Sequence, residues 1–130
     1  MKFQRLTPML WTSDMKTTVD FYSQVLGFTI DEYREEWNWS HLHRDNIAFM
    51  IVHRHTDEMY DGTPKYTGSF YLYVDEVDTL WDELKEKANV LYGIQNFPHQ
   101  MREFAILDNN GYILQFGRDL KEGEIVDDCD

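Results

Sequence analysis

Met9-Leu10-Trp11-Thr12-Ser13-Asp14 leads into an apolar helical pattern that ends at Leu26-Gly27-Phe28. Sixty-two residues on, Tyr71-Leu72-Tyr73-Val74-Asp75-Glu76 leads into a second pattern that ends at Ala88-Asn89-Val90. The offset of 62 is the same at both ends of the stretch. A period that takes up about half of a 130-residue chain means two copies of one supersecondary unit. A solenoid would need about three or more shorter repeats. Two matched halves predict a pseudo-symmetric pocket.

Working outward, each half shows the same order of elements. Residues 3–11 alternate as a strand, and Ser13 or Asp14 can cap the helix that follows by accepting one of its free first-turn amides. Val19, Tyr22, Val25 and Leu26 recur at helical spacing, and Gly27 suits the left-handed residue that closes a helix. Strands are predicted over 28–34, 37–44 and 47–53, parted by Glu35-Glu36 and Asp45-Asn46. In the second half 69–74 reads as a strand, and Val77, Leu80, Trp81 and Leu84 form the buried stripe of a helix. Asn89 stands in the place of Gly27, a second choice for the same left-handed conformation. A loop with His99 near its end precedes strands over 102–107 and 112–118, which flank the turn formers Asp108-Asn109-Asn110-Gly111. Residues 54–67, with Asp57, Glu58, Asp61, Gly62 and Pro64, are expected to be the most mobile part of the chain. The acidic residues from Lys121 onward are expected to be a frayed tail. The chain therefore reads as one domain over 1–130: module one over 3–54, a connection over 55–67, module two over 68–118 and a tail over 119–130.

A 42% hydrophobic content supplies a core that, at this length, buries roughly two-thirds of the unfolded surface. The 24 acidic and 12 basic side chains leave a formal charge of −12, which opposes binding to nucleic acid or an anionic membrane and favours cationic partners. Cys129 is the only cysteine, so neither an internal disulfide nor a thiolate metal site is available, and it reads as a solvated tail thiol. Met1-Lys2-Phe3-Gln4-Arg5 does not resemble a signal peptide, and no apolar run approaches the roughly 18 residues of a membrane span. A cytoplasmic protein is expected.

Strand alternation sorts side chains onto two faces. Leu10, Thr12, Phe70, Leu72 and Val74 make a helix-facing set, joined by Phe49, Ile51, Leu114 and Phe116. Thr7, Met9, Trp11, Ser69, Tyr71 and Tyr73 fall on the other face, with Ala48, Met50, Val52, Ile113 and Gln115. That second face is aromatic, with a few polar groups, as small-molecule sites are usually built.

Ser13-Asp14 through Phe21-Tyr22 to Leu26-Gly27-Phe28, then Val74-Asp75-Glu76-Val77-Asp78, then Arg102-Glu103-Phe104 and Asp108-Asn109-Asn110-Gly111 together resemble the glyoxalase, bleomycin-resistance and extradiol-dioxygenase superfamily, the vicinal oxygen chelate proteins. The resemblance covers most of residues 5–118. It implies an α+β fold of two tandem βαβββ modules whose curved mixed sheets surround a cavity, commonly in a homodimer. Enzymes of that family hold a divalent metal through His and Glu at four repeat-related strand positions, which here are Thr7, Met50, Ser69 and Gln115. A catalytic ion generally needs about three donors from His, Glu, Asp or Cys, so no metal, no cofactor and no catalytic residue are expected. His41 with His43, and His53 with His55, each place two imidazoles on one strand face at a chelating spacing, but no third donor is identifiable from the sequence.

With the metal subtracted, the chain is most similar to the bleomycin-resistance branch, whose members resemble antibiotic-sequestering dimers. The similarity rests on Arg102-Glu103-Phe104-Ala105, on Glu35-Glu36-Trp37-Asn38-Trp39 and on the negative charge. A tryptophan often found two residues before the motif arginine is replaced by Gln100. Flat cationic ligands suit aromatic faces, which attract cations by about 0.5–2 kcal/mol each. The candidate ligand-binding residues are Trp37, Trp39, Tyr71, Tyr73, Trp11, Met9, Met50, Gln115, His99 and Arg102. Competing roles are a dimer interface or sheet core for Trp37 and Trp39, packing for Met9 and Met50, and an ion pair for Arg102. Three functions remain: a metal-free binder of a small aromatic or cationic compound, a metal-dependent lyase or dioxygenase, and an interaction module with no small ligand.

Overall fold

The computed structural model describes residues 1–127, and Cys129 lies outside them. The chain divides between Lys65 and Tyr66 into two compact units, each holding one copy of the repeat. The first comprises β1 (Met9–Thr12), α1 (Met15–Asp20) continued by a π-turn over Phe21–Val25, β2 (Thr29–Arg34), a 3-10 turn over Glu35–Trp37, β3 (Trp39–Arg44) and β4 (Ile47–His53). The second comprises β5 (Phe70–Tyr73), α2 (Val77–Leu84), β6 (Asn89–Phe97), β7 (Met101–Leu107) and β8 (Ile113–Asp119). The sheets run β1-β4-β3-β2 and β5-β8-β7-β6. The β1–β4 and β5–β8 pairs are parallel, and the β2–β3, β3–β4, β6–β7 and β7–β8 pairs antiparallel. Thus the fold is α+β, two βαβββ modules each with a four-stranded mixed sheet.

Local chemistry explains the helix ends. Asp14 accepts from the Thr17 amide at 3.1 Å and the Thr17 hydroxyl at 2.8 Å, so it is the N-cap of α1. Thr12 and Thr18 share a buried 2.8 Å hydrogen bond beneath it. The Leu26 amide then donates to the Phe21 carbonyl, five residues back, giving a turn one residue wider than α-helix. Tyr22 and Leu26 are both buried there, and the Tyr22 ring meets Phe28 at 5.8 Å and Phe49 at 5.5 Å. Gly27 takes φ +73°, the left-handed closure its position predicts.

Of the predicted helix-facing residues, Phe70 and Val74 are half-buried, while Leu10, Thr12, Phe49, Ile51, Leu72, Leu114 and Phe116 are buried. Each large apolar one contributes roughly 1.5–3 kcal/mol. In the second unit Val77, Leu80 and Leu84 of α2 are buried, and Trp81 packs its ring 5.1 Å from Phe104.

Five expectations are corrected, the first being the strand read over 3–11, which is confined to Met9–Thr12. Asn89 is not left-handed, since the positive-φ residues other than glycine among those described are Asn38, Asp45 and Gln100. Instead α2 closes through a turn in which the Lys87 and Ala88 amides both donate to the Leu84 carbonyl at 2.9 Å, and Asn89 opens β6. The loop expected before the Arg102 strand is that nine-residue strand; register shifts at Val90/Tyr92 and Tyr92/Gln95 break the period of two that would have announced it. The third strand of module one begins at Trp39, because 35–37 winds into a 3-10 turn that Asn38 closes at φ 51°. Finally, the tail is not frayed up to Asp127. The Asp127 amide donates to the Asn96 carbonyl at 2.9 Å, and the Asn96 amide donates to Asp127 Oδ2 at 2.7 Å. β6 is the outer strand of its sheet, and an outer strand presents unpaired groups that need partners.

The connection has an internal anchor of its own. Tyr60 is buried, with its ring edge-on to Trp11 at 5.8 Å, and Asp57 accepts from the Met59 and Tyr60 amides at 2.8 and 3.1 Å.

Candidate functional site

The sheet face turned away from the helix is the candidate site in each unit, and register places its residues. In the first unit Met9 pairs with Met50 and Trp11 with Val52, while Trp39 pairs with Val52 and His41 with Met50. Paired residues share a face, so Met9, Trp11, Trp39, His41, His43 and Met50 stand together. Arg5, Thr7, Asp31, Glu32, Trp39, His41 and Met50 line an open hollow of about 530 Å³ there.

The bulge between Ile30 and Glu32 turns Asp31 onto this face, where its carboxylate meets His41 Nδ1 at 2.8 Å and His43 Nδ1 at 2.7 Å. His43, then His41, hold the Asp31 carboxyl below its usual range. Trp37 stands outside the hollow, exposed, 6.2 Å from Trp39 and with the Arg34 guanidinium 5.4 Å over its ring. The Trp11 ring is partly occupied: Arg54 lies 4.3 Å over it. The His53 and His55 rings lie 5.1 Å apart.

In the second unit Tyr71 pairs with Gln115 and Tyr73 with Gly117, and across β7 Ala105 pairs with Gln115 and Glu103 with Gly117. Glu103 is 1% exposed, and four side chains satisfy its carboxylate. Tyr71 donates at 2.9 Å and Tyr92 donates a shorter bond. His99 Nε2 lies at 2.5 Å and Gln115 Nε2 donates at 3.3 Å. Gln115 also donates to the Tyr92 hydroxyl at 2.9 Å, and its carbonyl oxygen accepts from Ser69. Burial pushes the Glu103 carboxyl up, but the bonds from Tyr92, His99 and Tyr71 outweigh it and hold the group below its ordinary value. Burial and the Glu103 charge raise the Tyr71 phenol. Burial, with Glu103 acting against the Gln115 amide, pushes Tyr92 up to about 12. The result is a carboxylate ringed by neutral phenols. Tyr73 is 71% exposed and packs 5.1 Å from Tyr71; His99 stacks on Phe97 at 5.5 Å and 19°.

Of the predicted residues, Met9, Trp11, Trp39 and Met50 thus gather on one face, and Tyr71, Tyr73, Gln115 and His99 on the other unit's face. Arg102 joins neither. It lies on the helix side of β7, bidentate to Asp78 at 2.7–3.1 Å and donating to Asn96 Oδ1 at 2.9 Å. Asp78 sits in the second position of α2, so the ion pair staples helix to sheet. Glu103, Tyr92 and Asp31 were not among the candidates. Glu103 was within reach of the sequence, although no face was assigned to the 102–107 strand: alternation along it sends Glu103 to the face opposite Arg102 and Phe104, and Phe104 packs on Trp81 of the helix and on Phe116. Tyr92 and Asp31 sit beside bulges, where alternation gives no guide.

The four positions that the resemblance assigns to a divalent ion do not fit one. Thr7 and Ser69 offer hydroxyls, Met50 a thioether and Gln115 an amide whose oxygen is taken by Ser69; none is an imidazole or carboxylate. Among the described residues no three His, Cys, Asp or Glu groups are arranged to hold a metal ion. Nor is any described helix long and apolar enough to cross a membrane.

Against known proteins, the family profile described as Glyoxalase/Bleomycin resistance protein/Dioxygenase superfamily matches residues 4–116. A search of curated proteins gave no match. Among solved structures, TioX from Micromonospora sp. ML1 is similar with a TM-score of 0.71 at 18% identity, covering 90% of this chain and 100% of that one. The bleomycin-binding protein of bleomycin-producing Streptomyces verticillus, complexed with copper(II)-bleomycin, has a TM-score of 0.69 at 24% identity, covering 94% and 99%. A glyoxalase/bleomycin resistance protein/dioxygenase from Nocardioides has a TM-score of 0.68 at 16% identity, covering 98% and 91%. Likeness at these identities speaks for the fold alone.

Proposed function

Because the chain belongs to the glyoxalase/bleomycin resistance protein/dioxygenase superfamily, we propose that it is a metal-free member that binds and sequesters a flat aromatic, cationic small molecule of the bleomycin type. One observation carries the reading: the four positions where the family's enzymes hold an ion are Thr7, Met50, Ser69 and Gln115, which leaves the aromatic faces as the source of affinity. Trp39 beside Asp31 and Glu32 in one unit, and Tyr71 with Tyr73 over Glu103 in the other, join π-faces to negative charge. Such surfaces bind cationic rings through stacking and cation–π attraction. The net charge of −12 adds long-range attraction for the same ligands. The proposal includes the homodimer and the cytoplasmic setting that the resemblance and composition imply.

The test is a titration with metal-free bleomycin followed by tryptophan fluorescence, beside elemental analysis of protein purified without chelator or affinity resin. Saturable quenching with less than stoichiometric metal is the expected result. Stoichiometric Ni, Zn, Fe or Mn with turnover of a hemithioacetal or catechol would overturn it in favour of an enzyme. A flat titration with a co-purifying protein partner would favour the interaction module. Sedimentation velocity at micromolar concentration, expected to show twice the chain mass, checks the dimer.

A further inference from the structure

We propose that Glu103 is a specificity-determining residue that makes the tyrosine face of the second unit prefer a positively charged aromatic ligand over a neutral one of the same shape. The inference rests on the binding reading above and names the group behind its charge preference.

A buried carboxylate is costly unless its oxygens are well bonded, and this one is bonded by Tyr71, Tyr92, His99 and Gln115. No guanidinium or ammonium is among those partners. The nearest arginines in the pairing are directed elsewhere. Arg102, the next residue, and Arg118, next to the paired Gly117, are held by Asp78 at 2.7 Å and Glu124 at 2.7 Å. Among those four partners His99 alone can carry a positive charge to offset it, and its side chain is 56% exposed.

Two phenols point their hydroxyls at the carboxylate, and Tyr73, largely open to solvent, packs against one of them. A ring whose hydroxyl is bonded to an anion presents a more negative face than a free phenol, and the ring quadrupole already attracts cations. The negative charge therefore acts through the tyrosines on whatever they contact. The repeat sharpens the contrast. His41 pairs with Met50 as Ala105 pairs with Gln115, so the position two residues earlier is Trp39 in one unit and Glu103 in the other. One copy places a ring there and the other a charge.

The experiment compares phenyltrimethylammonium with tert-butylbenzene, its uncharged isostere, by ligand-observed NMR on the full chain. For the wild type the cation is expected to bind about tenfold more tightly. In Glu103→Gln the ratio of the two affinities should collapse toward 1, and Glu103→Asp, which keeps the charge, should restore part of it. A role confined to structure lowers both affinities in step and leaves the ratio alone; that result, or a wild-type ratio near 1, overturns the inference while the aromatic-binding reading stands. Binding of neither probe to the wild type overturns both.

Discussion

Gly117 faces Glu103 across the β7–β8 pairing, and a methyl group added there would stand 2.1 Å from the Tyr71 hydroxyl and 3.0 Å from Glu103 Cβ. Tyr71 can reach the carboxylate only because that methyl is missing. Gly117→Ala is therefore expected to drive Tyr71 off Glu103 and to cost about 1–3 kcal/mol of stability by overpacking, read as a shift in urea midpoint; an unchanged midpoint would show that the ring has another place to go. The Glu103 carboxyl makes a second expectation. Its folded value lies below the ordinary 4.5, so its contribution to stability is complete above about pH 4.5 and is lost as pH falls through the lowered folded value. Wild type and Glu103→Gln should thus converge in stability as the solution is acidified. Parallel curves from pH 7 to pH 3 would mean that the carboxyl titrates alike in both states. Tyr92, raised to about 12 from an ordinary 10, carries the opposite sign: the folded state favours the neutral phenol, and that advantage is lost as pH rises through 12.

At the scale of elements, caps and edges decide what stays folded. Asp14 holds the first turn of α1, and Asp14→Ala should cost about 1 kcal/mol in thermal or urea unfolding. The tail closes the outer edge of the second sheet. Arg118 donates to both Glu124 oxygens at 2.7 and 2.9 Å, bringing that carboxyl, which the Lys121 amide also approaches, down to about 2. This fixes the turn from which 125–127 returns to Asn96. Removing residues 123–130 is expected to leave the Asn96 amide unprotected in hydrogen exchange while the β7–β8 amides stay slow; equal protection with and without the tail would refute the edge-closing role. Both pairings were hidden in the sequence, because an acidic, turn-rich stretch has the same composition whether solvated or pinned.

For the molecule as a whole, the charge of −12 predicts that association with a cationic aromatic ligand slows as salt rises, since exposed charges more than about 8–10 Å apart are screened near physiological ionic strength. Stopped-flow quenching between 0.02 and 0.5 M salt, values that bracket a Debye length of roughly 4–20 Å, checks this. A salt-independent on-rate would confine the charge to solubility.

The repeat, the elements other than β6 and most of the inward residues were readable from the chain, because an offset of 62 residues, helical spacing and strand alternation are regularities that hold wherever each sheet has one buried face. Leu10, Phe49, Leu72, Leu114 and Phe116 are buried as alternation required. Only the tertiary structure decided which polar groups meet. Asp31 reaches two histidines through a bulge, Tyr92 reaches Glu103 from a strand whose register shifts, and Asp127 returns to Asn96 from 31 residues away. Bulges break the period that sequence reading depends on, and hydrogen bonds between distant residues leave no periodic trace at all.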